Sequence, residues 1–198
     1  AGESRPALVV AAEKSSAVTD WTARDTCVLC GDGAGAAVLK KGAERGAILG
    51  CYLGADGSKS SLLEIPAGGS ALPITHEVLD QRLNFIRMEG REVFKLAVAS
   101  MVDAARAVLK RTGHGVEEVA WLIPHQANLR IMTAVAKRLG IPEEKVHVNV
   151  DRYGNMSGAT VPIALAEMNQ AGRLRPGDLV LMVAFGGGLT WAATLIRW

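Results

Sequence analysis

The stretch Val119–Gly140, VAWLIPHQANLRIMTAVAKRLG, carries a strand signal and a helix signal with a polar corner between them. Val119–Ile123 is an unbroken apolar run of strand length, the pattern of a strand buried on both faces. Pro124 ends it and His125 follows. Leu129–Leu139 then repeats apolar residues at helical spacing, stops at Gly140 and has Pro142 just beyond; both are helix-ending signals. A buried strand feeding an amphipathic helix is the unit of an α/β protein. It puts His125 just past the strand's carboxyl end, where open α/β sheets hold their sites.

The reading extends both ways from there. Upstream, Val93, Phe94, Ala97, Val98, Met101, Val102, Ala105, Val108 and Leu109 form one apolar helix face, with Gly113 as terminator. Downstream, Val146, Val148 and Val150 alternate with His147, Asn149 and Asp151, which predicts a half-buried strand. Ala159–Ala171 predicts a helix closed by Gly172. Leu179–Phe185 and Leu189–Ile196 predict two strands joined by Gly186, Gly187 and Gly188. These must be antiparallel, because three residues cannot make a parallel crossover. From Asp80 the predicted order is α-β-α-β-α-β-β, a mostly parallel sheet with helices packed on it. Before it, Ala7–Ala12, Thr26–Cys30, Ala36–Leu39 and Ala47–Leu53 predict strands, and Gly54–Pro73 a surface loop rich in Gly, Ser and Pro.

Bulk composition bounds the class. The 198 residues are 49% hydrophobic and 21% charged, which reads as soluble, globular and α/β. A net charge of +2 is too small to imply nucleic-acid binding. No apolar run approaches the ~20 residues that span a bilayer, and no signal peptide is evident, so the expected location is cytoplasmic. The odd set Cys27, Cys30 and Cys51 fits a reducing compartment. Cys27 and Cys30 lie in a strand-like run with no partner pair, and read as small buried apolar residues rather than a redox or zinc motif.

Asn155 sits in Tyr153–Thr160, YGNMSGAT, at the end of the next predicted strand. Alone, it reads equally as a turn or cap residue. His125 alone reads as a buried histidine, and the glycine triplet alone as a hairpin turn. Three glycines exceed what a hairpin needs and leave room for a ligand against the backbone. Together they offer two neutral donors and bare backbone N–H groups, a set suited to a transition state with negative charge on a thioester oxygen. A thiolate nucleophile should complete the set, and no cysteine here has a suitable context. Gly31–Ala36 loosely matches a dinucleotide-binding loop, but a strand rather than a helix follows, so NAD and FAD are rejected and a glycine hairpin or bulge is expected. Arg130, Lys137 and Arg138 share one face of the helix after His125. That face reads first as solvated, and second as a docking patch for an acidic partner.

These residues resemble β-ketoacyl-acyl-carrier-protein synthase III. The resemblance rests on IPHQANLRI (123–131), GNMS (154–157) and AFGGGLTW (184–191), with WTAR (21–24), GDGAG (31–35), PAGGS (66–70) and MEGREVFK (88–95). It implies a thiolase-like layered α-β-α-β-α fold, with residues 1–79 ending the N-terminal half and 80–198 forming the C-terminal half. It implies a decarboxylative condensation of a short acyl group from acyl-CoA with malonyl-acyl-carrier protein, initiating fatty-acid synthesis. His125 and Asn155 match the family's catalytic pair, and Gly187 its oxyanion-hole glycine. Arg24, Gly90, Phe94 and Asn128 match coenzyme A and pantetheine tunnel positions, and Lys95, Arg130, Lys137 and Arg138 the carrier-protein surface. Coenzyme A thioester is then a substrate, with no cofactor or metal. Cys30 stands where Phe is common, and Ala23 where Asp is common. Because the family's nucleophilic Cys has no match, the chain is expected to be a C-terminal portion that needs an N-terminal portion and forms a homodimer when complete. A sibling starter enzyme of polyketide or quinolone type, or a non-catalytic carrier-binding fragment, are the alternatives.

Overall fold

A computed structural model describes residues 5–42 and 46–198. In chain order, β1 (Ala7–Lys14), the one-turn helix α1 (Arg24–Cys27), β2 (Asp32–Leu39) and β3 (Ala47–Ala55) come first. The two-residue strands β4 (Leu63–Glu64) and β5 (Arg87–Met88) flank the short helix α2 (His76–Asp80). Then follow α3 (Gly90–Thr112), β6 (Val119–Pro124), α4 (Leu129–Leu139), the one-turn α5 (Val150–Tyr153), α6 (Thr160–Gln170), β7 (Leu179–Gly186) and β8 (Thr190–Arg197).

The main sheet runs β3-β8-β7-β6. Period-two alternation splits its side chains between two cores. Leu122, Leu181, Val183, Ala193 and Leu195 face α3 and α4, whereas Ile123, Val180 and Ile196 face α6. Nine apolar residues of α3, Val93 to Leu109, are buried against that first face. Burying a side chain such as Met101 stabilises by about 1.5–3 kcal/mol. The helix stops at Gly113 in the left-handed conformation, and α4 stops the same way at Gly140, as their sequence signals predict.

Several expectations need correction. Only β6 and β7 are parallel; β7–β8 and β3–β8 are antiparallel, so the sheet is mixed rather than mostly parallel. β3 lies before residue 80 and pairs with β8 in the main sheet. Residues 54–73 contain a 3-10 segment and β4 as well as loop. Thr26–Cys30 is not a strand. Its start is wound into α1, where Cys27 N–H donates to Ala23 O, and only Cys30 makes a bridge, to Asn155. Residues 146–151 also form no strand beyond one bridge at Val146. Burial there is inverted: His147 and Asn149 are buried and Val148 is exposed. The pair goes inward where the His147 carbonyl, the Asn149 N–H and Asn149 Nδ2 find partners, described below. None of the three cysteines is buried; Cys27 and Cys30 are partly covered and Cys51 is exposed.

Gly31–Ala36 is neither hairpin nor bulge. β2 pairs with β1 in unbroken antiparallel register from Asp32 to Leu39. Its bare face is the point of contact. A Cβ on Gly35 would lie 3.0 Å from Pro162 at the start of α6, and one on Gly31 would lie 2.0 Å from Tyr153 O. The glycine string therefore lets the chain segment carrying Asn155 lie directly on β2.

Candidate active site

His125 leaves β6 at its carboxyl end, where its N–H donates to Val183 O of β7 (2.7 Å). The corner is braced by Gln126, which is fully buried. Its Nε2 donates to Pro124 O (2.9 Å) and His147 O (3.1 Å), while Oε1 accepts from Asn149 N (2.9 Å). All of these bonds lie inside the protein, so the His125 backbone is fixed from both sides. The imidazole Nδ1 lies 2.7 Å from Thr160 Oγ1. The ring edges onto the cleft wall, but the packing around it strips water and pushes its pKa down to about 4. It is neutral across the physiological range.

Asn155 lines the same cleft. Its N–H donates to Leu29 O (2.7 Å) and its carbonyl accepts from Gly31 N (2.9 Å). Its side-chain Oδ1 accepts from Ser157 N (2.9 Å), which leaves the amide NH₂ to donate outward. Asn128 is arranged alike. It caps α4 by accepting from Ile131 N (2.9 Å), and its NH₂ is left over. Of the triplet, Gly188 has φ +138°, a conformation that needs glycine, while Gly186 has open space where a Cβ would stand.

A second network fixes the segment before Asn155. Glu167 on α6 accepts from Asn149 Nδ2 (2.7 Å), Tyr153 OH (2.7 Å) and Arg152 Nη2 (3.0 Å). Desolvation pushes Glu167 up, but these bonds and the Arg152 charge outweigh it and hold the carboxyl below its ordinary value. His147 Nε2 is 3.4 Å from the same carboxylate but poorly aligned for a hydrogen bond. Burial, with Arg173 alongside, holds His147 below its ordinary pKa.

One cleft of about 1880 Å³ gathers most of the expected residues: His125, Asn155, Gly187, Gly90, Phe94, Asn128, Lys95 and Arg130. That exceeds the ~300–1,000 Å³ of a compact ligand pocket and gives room for a long, extended ligand. Arg130 lies over the Phe94 ring at 5.7 Å, so two residues expected in different roles meet at one wall. Lys95 pairs with Glu92 (2.7 Å) in the open, a contact worth little in water. Arg24, exposed at the start of α1, does not line the cleft, nor do Lys137 and Arg138 in the last turn of α4. Cys30 does line it. Sequence reasoning gave no role to Gln126, Thr160 or Glu167; their types and spacing carry no signal apart from the fold.

The cleft is lined by two neutral side-chain donors and a glycine backbone, a set suited to binding a thioester oxygen as charge builds on it. Comparisons with known proteins show the family. The model described as 3-oxoacyl-(acyl-carrier-protein) synthase III matches residues 1–57, and that of its C terminal matches residues 109–198. The β-ketoacyl-(acyl-carrier-protein) synthase III of Syntrophomonas wolfei is 50% identical over 196 residues, covering 99% of this chain and 59% of the relative. The crystal structure of the synthase III of Aquifex aeolicus VF5 superposes with a TM-score of 0.87 at 47% identity, covering 98% of this chain and 58% of that one. A priming β-ketosynthase from the R1128 polyketide pathway superposes at 0.81 and 35% identity, covering 98% and 57%. The chain thus spans about 60% of the length of the curated relatives it matches. With its thiolase-like α/β fold, the chain belongs to the 3-oxoacyl-(acyl-carrier-protein) synthase III family.

Proposed function

We propose that this chain supplies the decarboxylation half of a condensing site, joining a short acyl group to a malonyl thioester with loss of CO₂. The observation that carries this is the pairing of donors. His125 has Nδ1 engaged by Thr160 and Asn155 has Oδ1 engaged by Ser157, so Nε2 and Nδ2 are left for one ligand oxygen. When the malonyl carboxylate leaves as CO₂, its bonding electrons pass into an enolate whose charge rests on the thioester oxygen. His125 and Asn155 hold that oxygen. Both are neutral, so neither opposes the charge nor protonates the enolate prematurely. The enolate carbon then attacks an acyl thioester carbonyl; the new C–C bond forms, the tetrahedral oxyanion is met by the Gly187 N–H, and the C–S bond breaks to release thiolate. Cys27 closes a one-turn helix, Cys51 lies exposed on β3, and Cys30 has its backbone tied to Asn155. Of the three only Cys30 lines the cleft, and an acyl-bearing thiolate is the component that this half-site would need.

The cleft's volume leaves room for a pantetheine arm, with coenzyme A as donor and an acidic carrier protein as acceptor at the basic residues around Arg130. The test is decarboxylation of malonyl thioester by the full-length protein. His125→Ala and Asn155→Ala should each lower the rate by about 10²–10³. Undiminished rates in both variants would remove the basis of the reading. The similarity to a priming ketosynthase favours one alternative, a starter enzyme with another acyl donor. A panel of acyl-CoA donors separates the two.

A further inference from the structure

The proposed donor role requires that His125 carry its proton on Nε2. A neutral imidazole has one ring proton and two places to put it, and the neighbour of the other nitrogen decides which. Among the described residues the only partner of Nδ1 is Thr160 Oγ1, at 2.7 Å. Thr160 is fully buried, so water does not compete for its hydroxyl. That hydroxyl has one proton and two acceptors in reach, Nδ1 at 2.7 Å and Ser157 O at 2.9 Å. If the proton goes to Ser157 O, Nδ1 must bear the imidazole proton and Nε2 faces the cleft as a bare acceptor. If it goes to Nδ1, Nε2 is the donor.

Ser157 O does not depend on the hydroxyl, because it already accepts the backbone N–H of Thr160 as the 3-10 turn enters α6. With the hydroxyl turned to Ser157 O, Nδ1–H would donate to Oγ1, so Nδ1 is paired either way; only the hydroxyl turned to Nδ1 leaves a proton on Nε2 for the cleft. We infer that Thr160 is a positioning residue that donates its hydroxyl proton to His125 Nδ1 and thereby holds the ring in the tautomer with its proton on Nε2. This rests on the functional reading above, which needs a donor at Nε2; the bonds themselves place the Thr160 hydroxyl against Nδ1. Because Ser157 also donates its N–H to Asn155 Oδ1, the short segment 155–160 then orients both donors: Ser157 turns the amide of Asn155, and Thr160 sets the proton of His125.

The test is nitrogen-detected NMR of the His125 ring in the full-length protein at neutral pH, in wild type, Thr160→Val and Thr160→Ser. Wild type and the serine variant should show protonated Nε2 and bare Nδ1. The valine variant, of similar shape but with no hydroxyl, should lose that bias and lose malonyl-thioester decarboxylation at least tenfold, with little change in KM. Serine should restore the rate. Protonated Nδ1 in wild type would overturn the inference without any variant, and so would an unchanged tautomer in Thr160→Val. If instead the tautomer behaves as stated but His125→Ala decarboxylates at full rate, the assignment of Thr160 stands and the proposed function falls.

Discussion

Stripped of water on the cleft wall, His125 stays neutral until about pH 4, whereas an unfolded chain binds that proton near 6.5. Two consequences follow at this one residue. First, decarboxylation should be level from about pH 8 down to about pH 5. A fall centred near pH 6.5 would show an imbued-with-water, freely titrating imidazole instead. Second, between pH 6.5 and 4 the unfolded state holds the extra proton, so stability declines as pH falls through that window. At about 1.36 kcal/mol per unit, the decline reaches about 3 kcal/mol at most. His125→Asn should remove that share, and denaturant titrations at pH 7 and pH 4 would show it as a shallower acid loss than in wild type. Parallel losses would mean the ring is better solvated than its packing implies. His125, Asn155 and Gly187 stood out in the sequence only as a set, each at a corner marked by proline or glycine. Thr160 did not. Before a helix such a threonine reads as a cap, and only the fold shows its hydroxyl against the imidazole.

At the scale of elements, the helices were legible because their signals are local. α3, α4 and α6 announce themselves by apolar spacing and a terminal glycine. Segment 146–150 failed for the converse reason. Its valines alternate as in a strand, yet the inward positions are taken by His147 and Asn149, whose backbone groups meet Gln126. Hydrogen bonds to residues some twenty positions away overrode the local pattern. Gln126→Ala should therefore cost about 3 kcal/mol, since it leaves buried groups of residues 124, 147 and 149 without a partner at about 1–3 kcal/mol each. Thermal denaturation would measure it; a loss below 1 kcal/mol would mean that water replaces the amide. The contact between β2 and the Asn155 segment gives a sharper test. A methyl on Gly31 would stand 2.0 Å from Tyr153 O, so that backbone must move and Asn155 with it. Gly31→Ala should lower decarboxylation at least tenfold, whereas Gly57→Ala, with open space around it, should leave the rate unchanged. Similar rates for both would show that the Asn155 loop is not held by that contact.

For the whole molecule, the placement of charge separates two tasks that the sequence had left mixed. Arg130 and Lys95 line the cleft and can meet any ligand that enters it, but Lys137 and Arg138 lie at the far end of α4, outside the lining. A small thioester within the cleft should be indifferent to them. A protein seated across the rim should feel both, mainly through its rate of encounter. The double variant Lys137→Glu, Arg138→Glu changes the charge by four units on a surface whose chain total is only +2. KM for malonyl-carrier protein should rise about tenfold, equivalent to about 1.4 kcal/mol, and the effect should shrink as salt screens the exchange beyond about 10 Å at 0.1 M. KM for malonyl-CoA should not change. An equal rise for both substrates would place these residues at the cleft after all. No rise for either would move the carrier-protein surface away from α4, leaving Arg130 stacked on Phe94 as part of the ligand wall alone.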